Sequence, residues 1–168
     1  MTPFSPDTDF LNPERIATYR LFLTRTIPEA TKRLIAFKKP AWGKMTAQHM
    51  IEHLQTAVVA STIIKRSEPI APNAGQLQAR KVLLYSEERM ARNLQNPIFQ
   101  YGLPPYSNAS LDEAKAKLLQ SLTRFFEIYD GQPQAYSYNP FLGDLSVPEL
   151  IAFHYKHIKH HYEQFELV

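Results

Sequence analysis

The sequence predicts an all-α protein: a four-helix bundle with one long crossover that carries a shorter helix. Three observations predict it. Apolar residues recur at helical spacing in four stretches. Strong start signals precede several of those stretches. No stretch sustains strand-like alternation, and no Asn-Gly or Asp-Gly hairpin signal carries weight. The joins are short except between the second and third long helices, the pattern of antiparallel neighbours.

Composition sets the outer limits. A chain of 168 residues, 44% hydrophobic and 21% charged, suits one globular domain spanning residues 1–168. With no cysteine there is no disulfide, no thiolate metal site and no cysteine nucleophile. The net charge of +3 is spread among acids without a basic block, so nucleic acid is not an expected partner. No apolar run approaches the ~20 residues of a membrane span. The start, MTPFSPDTDF, lacks the basic and apolar regions of a signal peptide, so a cytoplasmic protein is expected.

Taken in order, residues 1–11 read as an extended arm. Asn12-Pro13 caps a helix carrying Ile16, Tyr19, Phe22 and Leu23. Pro28 should kink or restart it, and Leu34, Ile35 and Phe37 continue its face to about Lys38. The breaker KPAWG follows, and Trp42 within it reads as a plug for one end of the core. The second helix is capped by Thr46 and runs to about Lys65, with an inner stripe of Met50, His53, Leu54, Ala57, Ser61 and Ile64. His49 lies at the stripe's edge. Small residues Ala57, Ala60 and Ser61 should admit a close neighbour. Residues 76–94 read as a shorter helix in the crossover, and the Pro-rich residues 96–110 as a loop. A structured loop of that length is often functional. Ser110 caps a third long helix with a seam of Leu118, Leu122, Phe125 and Tyr129. The linker AYSYNPFLGD leaves little room for a strand.

The last helix holds four of the six histidines. Ser146 and Glu149 form an S-x-x-E capping box, and Pro148 sits harmlessly in the first turn. Ile151, Tyr155, Ile158, Tyr162 and Phe165 make one apolar seam. Leu150, His154, His157 and His161 make a second row beside it. His157 and His161, one turn apart, project the same way. Together with His53 from the second helix they form a candidate set of three metal ligands with an open fourth position. Three unpaired buried imidazoles would cost several kcal/mol, so an ion is a natural partner for them. His154 at i, i+3 from His157 is the alternative to His161. His160 points about 60° away from the His157 side, toward solvent or the pocket rim. Gln164 either bonds a ligand histidine or is a surface amide.

The segments TAQHMIEHL and HIKHHYEQF resemble the DinB/YfiT-like superfamily of metal-binding four-helix bundles. The motif residues are Thr46 and His53 on the second helix, and His157, His160, His161 and Gln164 on the last. The resemblance covers both ends of the chain and is poor over residues 66–109, which fits an uncharacterised branch. It implies a bundle of that type with His53, His157 and His161 holding a divalent ion, zinc or nickel. It further implies thiol-dependent transferase or isomerase chemistry with a low-molecular-weight thiol as co-substrate. Tyr162 stands where such proteins usually have an arginine, which puts a thiol-carboxylate contact there in doubt.

Three readings follow. The first is a metal-dependent S-transferase or hydrolase acting on a small molecule, with Trp42, Phe141, Tyr155 and the 97–109 loop as its pocket wall. The second is a non-catalytic binding or stress-related domain whose metal is structural. The third is a metal-free interaction domain. A homodimer paired through helix faces is consistent with all three.

Overall fold

The structure, a computed structural model, describes residues 9–63, 65–92 and 99–168. Most of the expected N-terminal arm, together with Ile64, Pro97 and Ile98, lies outside the described residues. The elements in chain order are α1 (Pro13–Leu21), a π-helical turn (Phe22–Thr26), α2 (Ile27–Lys32), α3 (Ala47–Ile63), β1 (Lys65–Arg66), α4 (Ala74–Leu83), α5 (Leu111–Asp130), β2 (Tyr136–Asn139), β3 (Gly143–Ser146) and α6 (Val147–Gln164). The protein is thus mostly helical, as expected, with a small antiparallel sheet that the sequence did not predict. Packing pairs α3 with α5 and α1 with α6, and α3 also meets α6. Among the described residues no helix is long and apolar enough to cross a membrane.

Local chemistry accounts for the helix boundaries. The Asn12 side chain accepts the Arg15 backbone N–H at 2.9 Å, and Pro13 takes the first helical position. Pro28 restarts the helix as expected. The residues before it widen into the π turn, where the Ile27 N–H reaches the Phe22 carbonyl. α2 then stops at Lys32 rather than near Lys38, its end tightened by the Arg33 and Leu34 N–H groups bonding to Ala30 and Thr31. Leu34 is its last buried residue, while Phe37 is 90% exposed. Ile35 and Phe37 mimic a helical face without supplying one. The Thr46 hydroxyl accepts the His49 N–H at 3.3 Å and Ser110 accepts that of Glu113 at 3.2 Å, which confirms both caps. Asn73 caps α4, exchanging bonds with Gln76, and the helix ends at Leu83, shorter than residues 76–94 suggested.

The core gathers the predicted seams: Met50 and Leu54 from α3, Leu118 and Phe125 from α5, Ile158 and Tyr162 from α6, and Phe165 just past its end are all fully buried. Each such side chain contributes about 1.5–3 kcal/mol. Ala60 is exposed, so the close approach expected of the small residues involves Ser61 but not Ala60. The Tyr162 hydroxyl meets Thr31 at 2.6 Å inside the core.

The linker before α6 is a hairpin, not a plain join. β2 pairs with β3 from Tyr136↔Ser146 to Asn139↔Gly143, and β1 adds to the other edge of β2. The Asn139 side chain accepts the N–H groups of Phe141 and Leu142, and Gly143 at φ +74° closes the turn. A Cβ at Gly143 would also lie 2.9 Å from the Gln76 amide oxygen. Buried Arg80 of α4 ties this hairpin to the bundle. Its guanidinium donates to the Leu142 carbonyl at 2.6 Å and to the Asp144 carbonyl, and lies 3.3 Å from the Glu149 carboxylate. Glu149 in turn accepts from the Tyr85 hydroxyl and from both the N–H and hydroxyl of Ser146, each at 2.8 Å. The capping box that starts α6 is therefore also a buried ion-pair site. Replacing Arg80 by Met strands Glu149 and should cost about 3–5 kcal/mol, read from urea denaturation. A loss under ~1 kcal/mol would contradict this role.

Candidate metal centre

α3 and α6 cross where His53 faces His157 and His161. The Nε2 atoms of His53 and His157 stand 2.9 Å apart. Ring centroids are separated by 4.9 Å for His53–His157, and by 5.0 Å for both His53–His161 and His157–His161. One potential ligand nitrogen from each ring lies within 4.8 Å of the other two. Among the described residues no carboxylate joins this group.

The hydrogen bonding favours lone pairs that point at one another. His161 Nδ1 lies 2.8 Å from the Gln164 amide oxygen, which only accepts, so that nitrogen carries the proton and Nε2 is left free. Gln164 is itself fixed, since its Nε2 donates to the Trp42 carbonyl at 2.7 Å. The Ala41 N–H also donates to the Gln164 backbone oxygen at 2.7 Å. Gly43, at φ +81°, makes this docking feasible: a Cβ there would come 2.7 Å from Gln164 Nε2. Between His53 and His157 a single proton must serve two nitrogens. A cation would instead accept both lone pairs; nitrogens bound to one zinc at about 2.0–2.1 Å in tetrahedral geometry stand about 3.3–3.4 Å apart, so a slight opening of the His53–His157 pair admits the ion. The residues present therefore fit a divalent ion.

Burial sets the charge state of the rings. It lowers the pKa of His53 to about 4 and that of His161 to about 3, with the neighbouring His53 adding to the effect at His161. His157 falls well below its ordinary value, by burial first and then by His161 and His53. All three are neutral at pH 7, the form that binds metals.

The other candidates divide. His154 is fully buried but turns away, its Nε2 lying 2.9 Å from the Ser61 hydroxyl and its Nδ1 without a partner among the described residues. It does not replace His161 in the cluster. His49 bonds to the Thr46 hydroxyl at 2.8 Å and the Pro104 carbonyl at 2.9 Å, with the Tyr106 ring beside it. It holds the loop and is outside the trio. His160 is half-buried on the rim, bonded to the Met90 backbone and edge-on to Trp42. Trp42 is half-buried beside the cluster rather than a plug deep in the core. Phe141 is 60% exposed at the hairpin tip, and Tyr155 stacks on Tyr19 at 3.8 Å, so neither walls the site. Tyr162 lies in the core and cannot take the place of a pocket arginine. The described part of the 97–109 loop does reach the site, through Phe99 edge-on to His53 at 5.6 Å.

Sequence reasoning missed Glu52. Its carboxylate accepts from Gln48, from the Ser107 and Asn108 N–H groups and from the Asn108 amide, all at 2.8–3.0 Å. Burial opposes its ionisation, but the donors together outweigh it and hold its pKa below the usual carboxylate range. One residue before His53, it pins the loop that carries Phe99. Its helical neighbours Gln48, His49, Gln55 and Thr56 are all polar, so the sequence carries no sign of its burial.

The fold and the trio define a helical protein with a histidine cluster able to hold a metal ion. Residues 78–167 match a family described as "Protein of unknown function (DUF1569)". The match covers more than half of the chain, and the chain belongs to that family. It includes His157, His161 and Gln164 but stops short of His53 and Trp42. No curated protein and no solved structure matches the chain.

The sign of the pH effect follows from the lowered values. A ring that folds neutral binds its proton more readily in the unfolded chain, near pH 6.5. The resulting stability is complete above that pH and is lost as the pH falls from about 6.5 through the folded values of about 4 and about 3. In metal-free protein the urea midpoint should drop steeply over that window. His53→Gln should reduce proton uptake on unfolding at pH 5 by about one. An unchanged slope would mean that His53 is not held neutral.

Proposed function

We propose that the protein is a metal-dependent enzyme in which His53, His157 and His161 bind one divalent ion, zinc or nickel. It acts on a small molecule by S-transfer with a low-molecular-weight thiol or by hydrolysis. The observation that carries this reading is the mutual approach of three neutral imidazoles with no acid between them. The resemblance of TAQHMIEHL and HIKHHYEQF to DinB/YfiT-like bundles supports it, for the fold type as well as the ligands. Bound there, a divalent ion lowers the pKa of a water or thiol and so supplies a nucleophile at neutral pH.

The chain's own residues do the rest. Gln164 fixes the tautomer and tilt of His161. Phe153 stacks against His157 at 5.3 Å and Phe99 meets His53 edge-on, so aromatic rings flank the cluster on two sides. Three protein ligands leave room for a substrate atom, the arrangement of catalytic rather than structural zinc. The deep burial of His157 and His161 favours a second reading, in which the metal only stabilises a binding or stress-related domain.

Elemental analysis of untagged protein should find about one zinc or nickel per chain, lost in His157→Ala. No metal at micromolar free zinc would remove the proposal. Activity surviving both chelation and His157→Ala would refute the mechanism alone and leave the structural reading. Gln164→Leu should weaken metal affinity about 10–100-fold with the fold intact. Unchanged affinity would show that Gln164 does not orient His161.

A further inference from the structure

We infer that Arg92, mounted on Trp42 at the edge of the histidine cluster, selects a ligand that carries a carboxylate. The inference rests on the metal reading above and names the chemistry of what that site takes.

The guanidinium carbon lies 4.1 Å above the Trp42 ring. That ring stands 5.7 Å, edge-on, from His160, whose own ring is 5.1 Å from that of the ligand candidate His161. The arginine is therefore two rings away from the metal cluster. Its platform is fixed on both sides. The Trp42 carbonyl takes the Gln164 amide, and the His160 ring bonds the Met90 backbone, two residues before Arg92. A guanidinium stacked by its face keeps its in-plane N–H edges, the fork that matches a carboxylate, free to bond.

Its charge is unspent. Arg15, Arg20, Arg66 and Arg80 each pair with a carboxylate, whereas Arg92 has no such partner among the described residues. Glu163, the acid that faces the same His160, lies 3.9 Å from Arg89. Among the described residues the Trp42 indole N–H is likewise buried without a partner, so a second unused donor lies in the ring that carries Arg92. Three neutral ligands leave a divalent ion's charge uncompensated, and an anion is the species drawn to a site that carries this charge with Arg92 at its edge. A single guanidinium suits a monovalent, planar carboxylate better than a phosphate dianion, which recruits several donors.

Cobalt(II)-loaded, untagged protein tests this through the optical bands of the metal. ω-Mercaptocarboxylates of two to six carbons would be titrated against mercaptoalcohols of the same lengths. For at least one length the acid should bind about tenfold or more tighter than the alcohol. Arg92→Ala should erase most of that ratio and Arg92→Lys should keep part of it. Arg89→Ala, which removes a nearby charge of the same sign, should leave it in place. Arg92 is exposed, so its substitution does not threaten the fold. A ratio near one in the parent, or one unchanged in Arg92→Ala, would show that Arg92 merely packs on Trp42. Inorganic phosphate displacing the bound acid in an Arg92-dependent way would overturn the carboxylate assignment. Absence of cobalt bands would overturn the metal reading, and this inference with it.

Discussion

Three imidazoles in mutual contact across two helices are an expensive thing to bury. Each gives up hydration, and none finds a carboxylate among the described residues to compensate. His53 and His157 share one hydrogen bond between two acceptor-capable nitrogens, and His157 Nδ1 has no partner among the described residues. Packing that tolerates this arrangement must be set firmly by the surrounding frame. The frame consists of α3 and α6, each committed to the core through fully buried residues a turn away from its histidines.

The ends of the frame are fastened by polar contacts, and these lead back to the cluster. At the C-terminal end of α6, Gln164 joins His161 to the Trp42 carbonyl, a close approach that the absence of a side chain at Gly43 eases. At its N-terminal end, Glu149 joins the helix cap to Arg80 and so to the hairpin. On α3, His49 and Glu52 hold the loop from Pro104 to Asn108 against the helix that presents His53. Most of the buried polar groups near the site thus position either a candidate ligand or the segment that flanks it.

Much of this was legible in the chain. A capping box, proline in the first turn and an unbroken seam identified α6, and i, i+4 spacing set His157 and His161 side by side. His53 followed from its place in α3's apolar stripe. The hairpin was not legible because its strands are four residues each and the buried positions include Ser137 and Asp144, which alternate nothing apolar. Ile35 and Phe37 misled for the opposite reason, being apolar at helical spacing yet exposed. Arg80 and Glu52 were invisible because a buried charge is recognisable only through its partners, and many of these are backbone groups, or side chains more than 50 residues away in the chain. Arg92 and Phe99 reach the site from a connection whose course no periodicity fixes.

The central claim is that the three histidine side chains converge on one ion. A crystal structure of untagged protein, with anomalous scattering collected at the zinc and nickel edges, addresses it directly. The account expects one anomalous peak bonded to His53, His157 and His161 at about 2.0–2.1 Å, with a coordination position not filled by protein. Rings that diverge, or that bond only protein groups with no peak between them, would contradict it.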